Sequence, residues 1–154
     1  MRTEGMIGHR FPARELVPEE HLSVAGFARI VGSSDRALTS TREARSQGFT
    51  ARPLPHGILF FFQTVSEEEL LETLDLGSRA MLVATETTTG AVATETDPLV
   101  GQTWVANAYE NPGRDGSVRQ FLVLATEFRR KDDDELVYQS ELTFMEKQMA
   151  EATA

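Results

Sequence analysis

The pattern of apolar and polar positions changes near residue 79, where helix-like spacing gives way to strand-like alternation. The stretch "VPEEHLSVAGFARIVG" carries the clearest helical pattern. Its apolar stripe follows the spacing i, i+3, i+4 and i+7 through Val24, Phe27, Ala28 and Val31. Pro18 suits a first helical turn and Gly32 suits a helix end, so the pattern predicts one helix between them.

Two further helices are predicted before residue 79. The stretch "STREARSQG" at 40–48 favours a short helix closed by its glycine. Ser66 and Glu69 have the spacing of a capping box, which predicts a helix from there through about Leu74.

The segment "GILFFF" at 57–62 is hydrophobic on all sides and follows an extended stretch set by Pro53 and Pro55. A segment that is apolar all round is not expected at the surface. We interpret it as a buried helix, and a buried strand is the alternative that periodicity leaves open.

After residue 79 the chain reads as strands separated by turns. The predicted strands are "RAMLVATET", "AVATETD", "QTWVANAYE", "RQFLVLATEF" and "LVYQSELTFM". The strongest turn signal is "NPGRDG", and "KDDDE" is a charged turn. Trp104 and Tyr109 are five positions apart, which predicts opposite faces of their strand. Helices followed by long antiparallel strands predict an α+β fold, with one domain over residues 1–154 and a helix inside a curved sheet.

Composition excludes several kinds of site. The chain has no cysteine, which rules out disulfides, thiolate catalysis and cysteine-based metal centres. Its three histidines lack the spacing of a metal-binding motif, so no metal is expected. A net charge of −9 argues against nucleic acid as a partner. Neither a membrane span nor a signal-like apolar core is evident, so we expect a cytoplasmic protein.

Several stretches together resemble the MaoC-like hot-dog family of (R)-specific enoyl-thioester hydratases and 3-hydroxyacyl-thioester dehydratases, including their FAS1-like dehydratase domains. The resemblance runs from "IGHRF" at 7–11 to "ELTFMEK" at 141–147. "FARIVG" is similar to the family's first helix, and "REARSQGF" to its second. "PHGIL" at 55–59 resembles the start of the central hot-dog helix, and "DPLVGQTW" at 97–104 resembles the loop before the next strand. The resemblance implies an antiparallel sheet wrapped around a central apolar helix.

The family's catalytic segment, of the form GDxNPLH, supplies an aspartate and a histidine. On this chain it falls at "SSDRALT", 33–39, where Ser34 and Thr39 stand at the two positions. A shift of one residue brings Asp35 and Ser40 there instead, and no histidine lies between His21 and His56. Because positioned acid–base groups contribute about 10²–10⁴ in rate each, this loop is expected to lack hydration chemistry. Asp35 is expected to be a turn or helix-capping residue.

The resemblance implies a substrate-binding role for the start of the central helix. His56, Gly57 and Ile58 correspond to the position where a backbone N–H points at the thioester carbonyl, and structural helix entry is the alternative. Phe60 and Phe61 are expected in the core and in the wall of the acyl tunnel. Arg129 and Arg130 are candidates for coenzyme A phosphates, with solvated turn residues as the alternative.

The resemblance therefore implies a subunit that needs a catalytic hot-dog partner. The present subunit would bind the acyl group of a CoA or carrier-protein thioester, without a further cofactor, and the two subunits together would form a hydratase or dehydratase. Two alternatives remain open. One is a self-sufficient homodimeric dehydratase or a thioesterase that uses a carboxylate among Glu67 to Glu69. The other is a non-enzymatic acyl-binding module.

Overall fold

A five-stranded antiparallel sheet dominates the structure, a computed structural model that describes residues 1–149. Its strands are β1 (Arg14–Leu16), β2 (Met81–Thr89), β3 (Leu99–Pro112), β4 (Val118–Arg130) and β5 (Leu136–Gln148). The α-helices are α1 (Val24–Ile30), α2 (Thr41–Ser46) and α3 (Glu67–Leu74). Helices followed by long antiparallel strands confirm the predicted α+β class.

The strands lie in the order β1-β3-β4-β5-β2. The three long strands β3, β4 and β5 form the centre, and β1 and β2 form the two edges. Every residue of β2 is exposed. Strand β1 was not predicted, because a three-residue strand carries no periodicity of its own.

Each α-helix begins at a serine whose hydroxyl accepts a hydrogen bond from a backbone N–H of the first turn. Ser66 and Glu69 form the predicted capping box, and α3 ends at Leu74 as expected. The first predicted helix is split in two. Pro18–Glu20 forms a separate 3-10 turn, and α1 begins only after Ser23, whose hydroxyl takes the Gly26 N–H at 3.0 Å.

One face of the sheet carries two hydrophobic clusters. The first packs α1 and residues 58–59 against the ends of β3, β4 and β5 that include Leu99, Phe128 and Tyr138. The second lies further along the same face, around Val105 and Leu122. The two clusters bury the apolar half of each long strand, which is the main stabilising term for a sheet of this kind.

The predicted buried helix at 57–62 is much shorter in the structure. Residues Ile58–Phe61 form a single 3-10 turn, and Phe62 is extended. Gly57 enters the turn with a φ of 83°, a left-handed conformation that does not continue a helix. The separate cap at Ser66 then starts α3. Ile58 and Leu59 are buried as expected, whereas Phe60 and Phe61 are 41% and 64% exposed.

The predicted strand at 91–97 is also wrong. This segment is a loop that makes one isolated bridge, between Thr94 and Pro53. The carboxylate of Asp97 accepts the Thr94 N–H at 2.7 Å, so a local side chain takes the place of a sheet partner.

Trp104 and Tyr109 lie on the same face of the sheet, contrary to the prediction. The register shifts between Val105 and Asn107, and this bulge reverses the alternation of faces along β3. Trp104 therefore pairs with Ala125, and Tyr109 with Phe121, which is four residues away on β4. The Tyr109 ring stacks on Phe121 at 4.8 Å, so it serves sheet packing.

Replacing Gly101 by alanine should lower the free energy of unfolding by about 1–3 kcal/mol, because a well-packed core resists an added methyl group. A Cβ at Gly101 would lie 2.5 Å from the Thr64 methyl group and 2.8 Å from the Phe128 ring. Urea unfolding measures the change.

Gly77→Ala is the matched control. Its Cβ would lie 3.5 Å from a methyl carbon of Leu71, an ordinary contact, so the change should stay within about 0.5 kcal/mol. Equal stability of the two variants would contradict the packing of Thr64 on β3.

Candidate functional site

The main cavity has a volume of about 530 Å³ and lies beside the first hydrophobic cluster. Its wall includes α1, the loop at 33–38, the proline-containing loop at 53–57, the turn after β2 and the start of β5. This volume falls in the range of about 300–1,000 Å³ that small-molecule sites occupy. We therefore take the main cavity as the candidate site.

His56 and Gly57 both line the main cavity, where the sequence places substrate-binding residues. The Ile58 N–H donates to the Pro55 carbonyl at 3.2 Å and is therefore occupied. Within residues 1–149, the Gly57 N–H has no backbone acceptor. Of the two backbone donors considered for a thioester carbonyl, Gly57 is the one left available.

The other predicted substrate-binding residues lie elsewhere. Ile58 is fully buried in the first hydrophobic cluster. Phe60 lines a second cavity of about 270 Å³, and Phe61 lines a third of about 510 Å³. The five predicted substrate-binding residues, at positions 56–58, 60 and 61, lie in or beside one turn, and the structure does not bring them into a single cavity. Their role in binding stays a prediction.

The loop at 33–40 uses its polar side chains to hold its own backbone. A carboxylate oxygen of Asp35 accepts the Ala37 N–H at 2.9 Å, which confirms the capping role expected of it. The Ser40 hydroxyl accepts the Glu43 N–H at the start of α2. The Thr39 hydroxyl donates to the Arg36 carbonyl at 3.4 Å, and Ser34 is exposed.

Asp35 and His56 line the same cavity, although they come from different loops. Sequence reasoning missed this proximity, because it sought an aspartate and a histidine within one local segment. Among the residues that the structure describes, no hydrogen bond joins the two side chains. The Asp35 carboxylate and the His56 imidazole therefore line the same cavity without a hydrogen bond between them.

Tyr138 is a second group that sequence reasoning did not place in the site. It lines the main cavity from β5 and is only 4% exposed. In the described part of the chain its hydroxyl has no hydrogen-bond partner, and burial raises the pKa of the phenol. Tyr138 lies on the face of β5 that also carries Leu142 and Phe144, so the sequence pattern gives no signal for a polar role.

Arg129 and Arg130 are both engaged within the chain. Arg129 pairs with Glu127 at 3.1 Å, and Arg130 pairs with Asp133 at 2.7 Å. These carboxylates raise the pKa of each guanidinium. A phosphate would have to compete with both ion pairs, which favours the alternative of turn residues.

The glutamates considered for thioester hydrolysis occupy different environments. Glu69 accepts the Ser66 N–H and pairs with Arg14 at 2.8 Å, and the Ser66 hydrogen bonds and the Arg14 charge lower the pKa of its carboxyl. Glu67 lines the second cavity instead. Glu69 is thus committed to the capping box.

Neither a metal cluster nor a membrane-spanning helix is found among the residues that the structure describes. No group of three or more histidine, aspartate or glutamate side chains could hold a metal ion there. No helix in that part of the chain is long and apolar enough to cross a bilayer.

Solved structures with the same fold are MaoC-like and related dehydratases. The chain is 21% identical to a chain of the C-terminally truncated HadBC (3R-hydroxyacyl-ACP dehydratase) complex from Mycobacterium tuberculosis, covering 93% of this chain and 98% of that one with a TM-score of 0.70. A chain of the ChsH1-ChsH2 complex from the same organism is 10% identical, with 92% of this chain and 98% of that one covered and a TM-score of 0.62. The (R)-hydratase of A. caviae is 16% identical, with 92% of this chain and 96% of that one covered and a TM-score of 0.60.

These similarities show a hot-dog fold, as the sequence predicted, and at such identities they show the fold alone. No family model matches the chain, and no curated protein matches it.

Replacing Tyr138 by phenylalanine should leave the free energy of unfolding unchanged or raise it by up to about 1 kcal/mol, because an unpartnered buried hydroxyl costs desolvation energy. Thermal and urea unfolding measure the change. Tyr109→Phe is the control, since Tyr109 is 40% exposed and a change within about 0.5 kcal/mol is expected. A loss above about 1 kcal/mol for Tyr138→Phe would mean that its hydroxyl is bonded in the folded protein.

Proposed function

We propose that this chain is the substrate-binding, catalytically incomplete subunit of a heteromeric enoyl-CoA hydratase or 3-hydroxyacyl-thioester dehydratase. The observation that carries the proposal is the loop at 33–40. Where the hydratase segment has an aspartate and a histidine, this loop has Ser34 and Thr39, and its one carboxylate, Asp35, caps a helix. A loop built in this way maintains a shape and offers no acid–base pair of its own.

The remaining parts of the site suit binding. The main cavity offers a volume of about 530 Å³ and an available backbone donor at Gly57. A backbone N–H at this place would polarise the carbonyl of a CoA or carrier-protein thioester. The partner subunit would supply the groups that activate water and exchange the proton at the α-carbon.

The exposed edge of β2 supports a partner. All nine residues of β2 are exposed, including the apolar Met81, Leu82 and Val83. A long, apolar edge strand left open is a site for pairing with another chain. Two of the solved structures with this fold are described as complexes, HadBC and ChsH1-ChsH2, which is consistent with a heteromer.

Co-expression with a hot-dog chain that carries an intact Asp/His loop should give a 1:1 or 2:2 complex by native mass measurement. The complex should hydrate enoyl-CoA, and the purified single chain should retain less than about a hundredth of that activity, since an absent acid–base pair costs at least that factor. Full hydratase activity in the single chain would contradict the proposal.

Val83→Lys tests the interface in the same assay. A charge on the exposed β2 edge should weaken association about tenfold or more without changing the melting temperature. Ile7→Lys is the matched control, because Ile7 is equally apolar and 60% exposed but lies away from β2. Equal effects of the two lysines would exclude β2 as the contact.

A self-sufficient dehydratase is the second candidate, and the shared position of Asp35 and His56 in the main cavity favours it. The carboxylate would accept a proton from water, and the imidazolium would deliver one to the α-carbon. Under this candidate Asp35→Asn and His56→Gln would each lower the activity of a homodimer about a hundredfold or more. Under the heteromer proposal we expect both substitutions to leave the kcat of the complex within about threefold, with any effect of His56→Gln confined to KM, which steady-state hydration kinetics can measure.

A further inference from the structure

A row of hydroxyl groups crosses the apolar face of the sheet. The strand register places Thr103 of β3 opposite Thr126 of β4, and Thr126 opposite Ser140 of β5. Thr87 of the exposed strand β2 continues the row beyond Ser140. Along each long strand, these residues lie between the first and the second hydrophobic cluster. The row is therefore a polar stripe within an otherwise apolar face.

The second cavity, of about 270 Å³, lies over this row, and we call it the hydroxyl pocket. Thr64, Thr103, Thr126 and Ser140 line it. Its remaining lining is mostly apolar or aromatic, and Gln63 and Glu67 are its other polar residues. A cavity just below the range of drug-sized sites suits part of a chain better than a whole thioester.

Three of the four hydroxyl-bearing residues of the pocket are buried, Thr126 is half-buried, and the hydrogen bonds among them do not use every O–H. Thr64, Thr103 and Ser140 are only 4%, 4% and 6% exposed. Thr64 bonds Thr103, and Thr103 bonds Thr126 at 2.7 Å. Three hydroxyls joined by two bonds leave one O–H without an acceptor in that chain of bonds. Over residues 1–149, the Ser140 hydroxyl takes no part in a side-chain hydrogen bond.

Structural Thr–Thr pairing alone does not explain this row. Cross-strand threonine pairs do stabilise sheets, and the Thr103–Thr126 bond is one of them. The Ser140 oxygen has no side-chain partner and is not one of the fully enclosed unpartnered atoms of the described chain, so it is accessible from the cavity. An O–H group that lacks an acceptor at the wall of a cavity is suited to donate to an oxygen of a bound ligand.

We propose that the hydroxyl pocket receives the acyl chain of the thioester, and that Thr126 and Ser140 hydrogen-bond an oxygen carried on that chain beyond its third carbon. The preferred ligand class is then an acyl thioester with a hydroxyl or oxo group distal to C3, in preference to one of equal length without it. This inference rests on the proposed function, because it assumes that the chain binds acyl thioesters.

Isothermal titration of the chain, in its complex where one forms, tests the preference. The probes are dodecanoyl-CoA and a series of monohydroxylated dodecanoyl-CoA thioesters whose hydroxyl lies at successive positions beyond C3. At least one hydroxylated probe should bind about tenfold more tightly than dodecanoyl-CoA, the value of one well-made hydrogen bond in a dry site. Ser140→Ala should reduce that preference to within about twofold while leaving dodecanoyl-CoA binding unchanged.

Ser140→Ala is the main variant, because it removes only an oxygen and disturbs no hydrogen bond of the row. Thr126→Val is the second and also breaks the bond to Thr103. Thr143→Val is the matched control, since Thr143 is half-buried on β5 but pairs with Val123 on the opposite face of the sheet. It should keep the full preference.

The outcomes distinguish a failure of the role of the hydroxyl pocket from a failure of the proposed function. Equal binding of all probes, or a preference that survives both pocket variants, would overturn the role of the hydroxyl pocket and leave the proposed function intact. Failure of every thioester to bind would overturn the proposed function and this inference together.

Discussion

The pairing of β3, β4 and β5 is the interaction on which the rest of the molecule depends. Each of these strands is hydrogen-bonded along both edges, and their common face carries both hydrophobic clusters. The helices have only six to eight residues, too few to be stable in isolation. Helices and cavity loops therefore hold their positions only because they pack on a sheet that is already formed.

The sequence was sufficient where local chemistry decides the structure. Alternation located the three long strands, and the Ser66–Glu69 spacing located α3, because both signals lie within a few residues. It failed at 91–97, where the Asp97 side chain accepts a backbone N–H, and at 57–62, where a left-handed Gly57 precedes a single turn and Phe62 is already extended. The periodicity of apolar residues does not indicate which side chain will accept a backbone N–H, or which residue will adopt a positive φ.

The candidate site was predictable to a smaller extent than the fold. His56 and Gly57 were located because the resemblance places them at the start of the central helix, and both line the main cavity. Tyr138 and the hydroxyl row were not, because their meaning depends on which residue of a distant strand lies opposite. One bulge in β3 shows how weak local reasoning is here, since it moved Tyr109 to the other face.

Several polar side chains that the family resemblance singles out are engaged in structural contacts. Asp35 and Ser40 satisfy helix N-termini, and Arg129 and Arg130 satisfy acidic neighbours. The cavities offer a ligand volume, the Gly57 N–H, a set of hydroxyls and the His56 imidazole. Under the proposed function these groups act through shape and hydrogen bonding, and proton transfer is left to the partner subunit.

The bulge in β3 also has an optical consequence. Trp104 is the single tryptophan of the chain, and the bulge leaves it on the outer face with Tyr109, where the Arg10 guanidinium lies 5.0 Å from its ring. Its emission therefore reports on the docking of the N-terminal segment against β3. The indole faces away from the cavities, so intrinsic fluorescence follows unfolding of this protein while remaining largely insensitive to what the cavities contain.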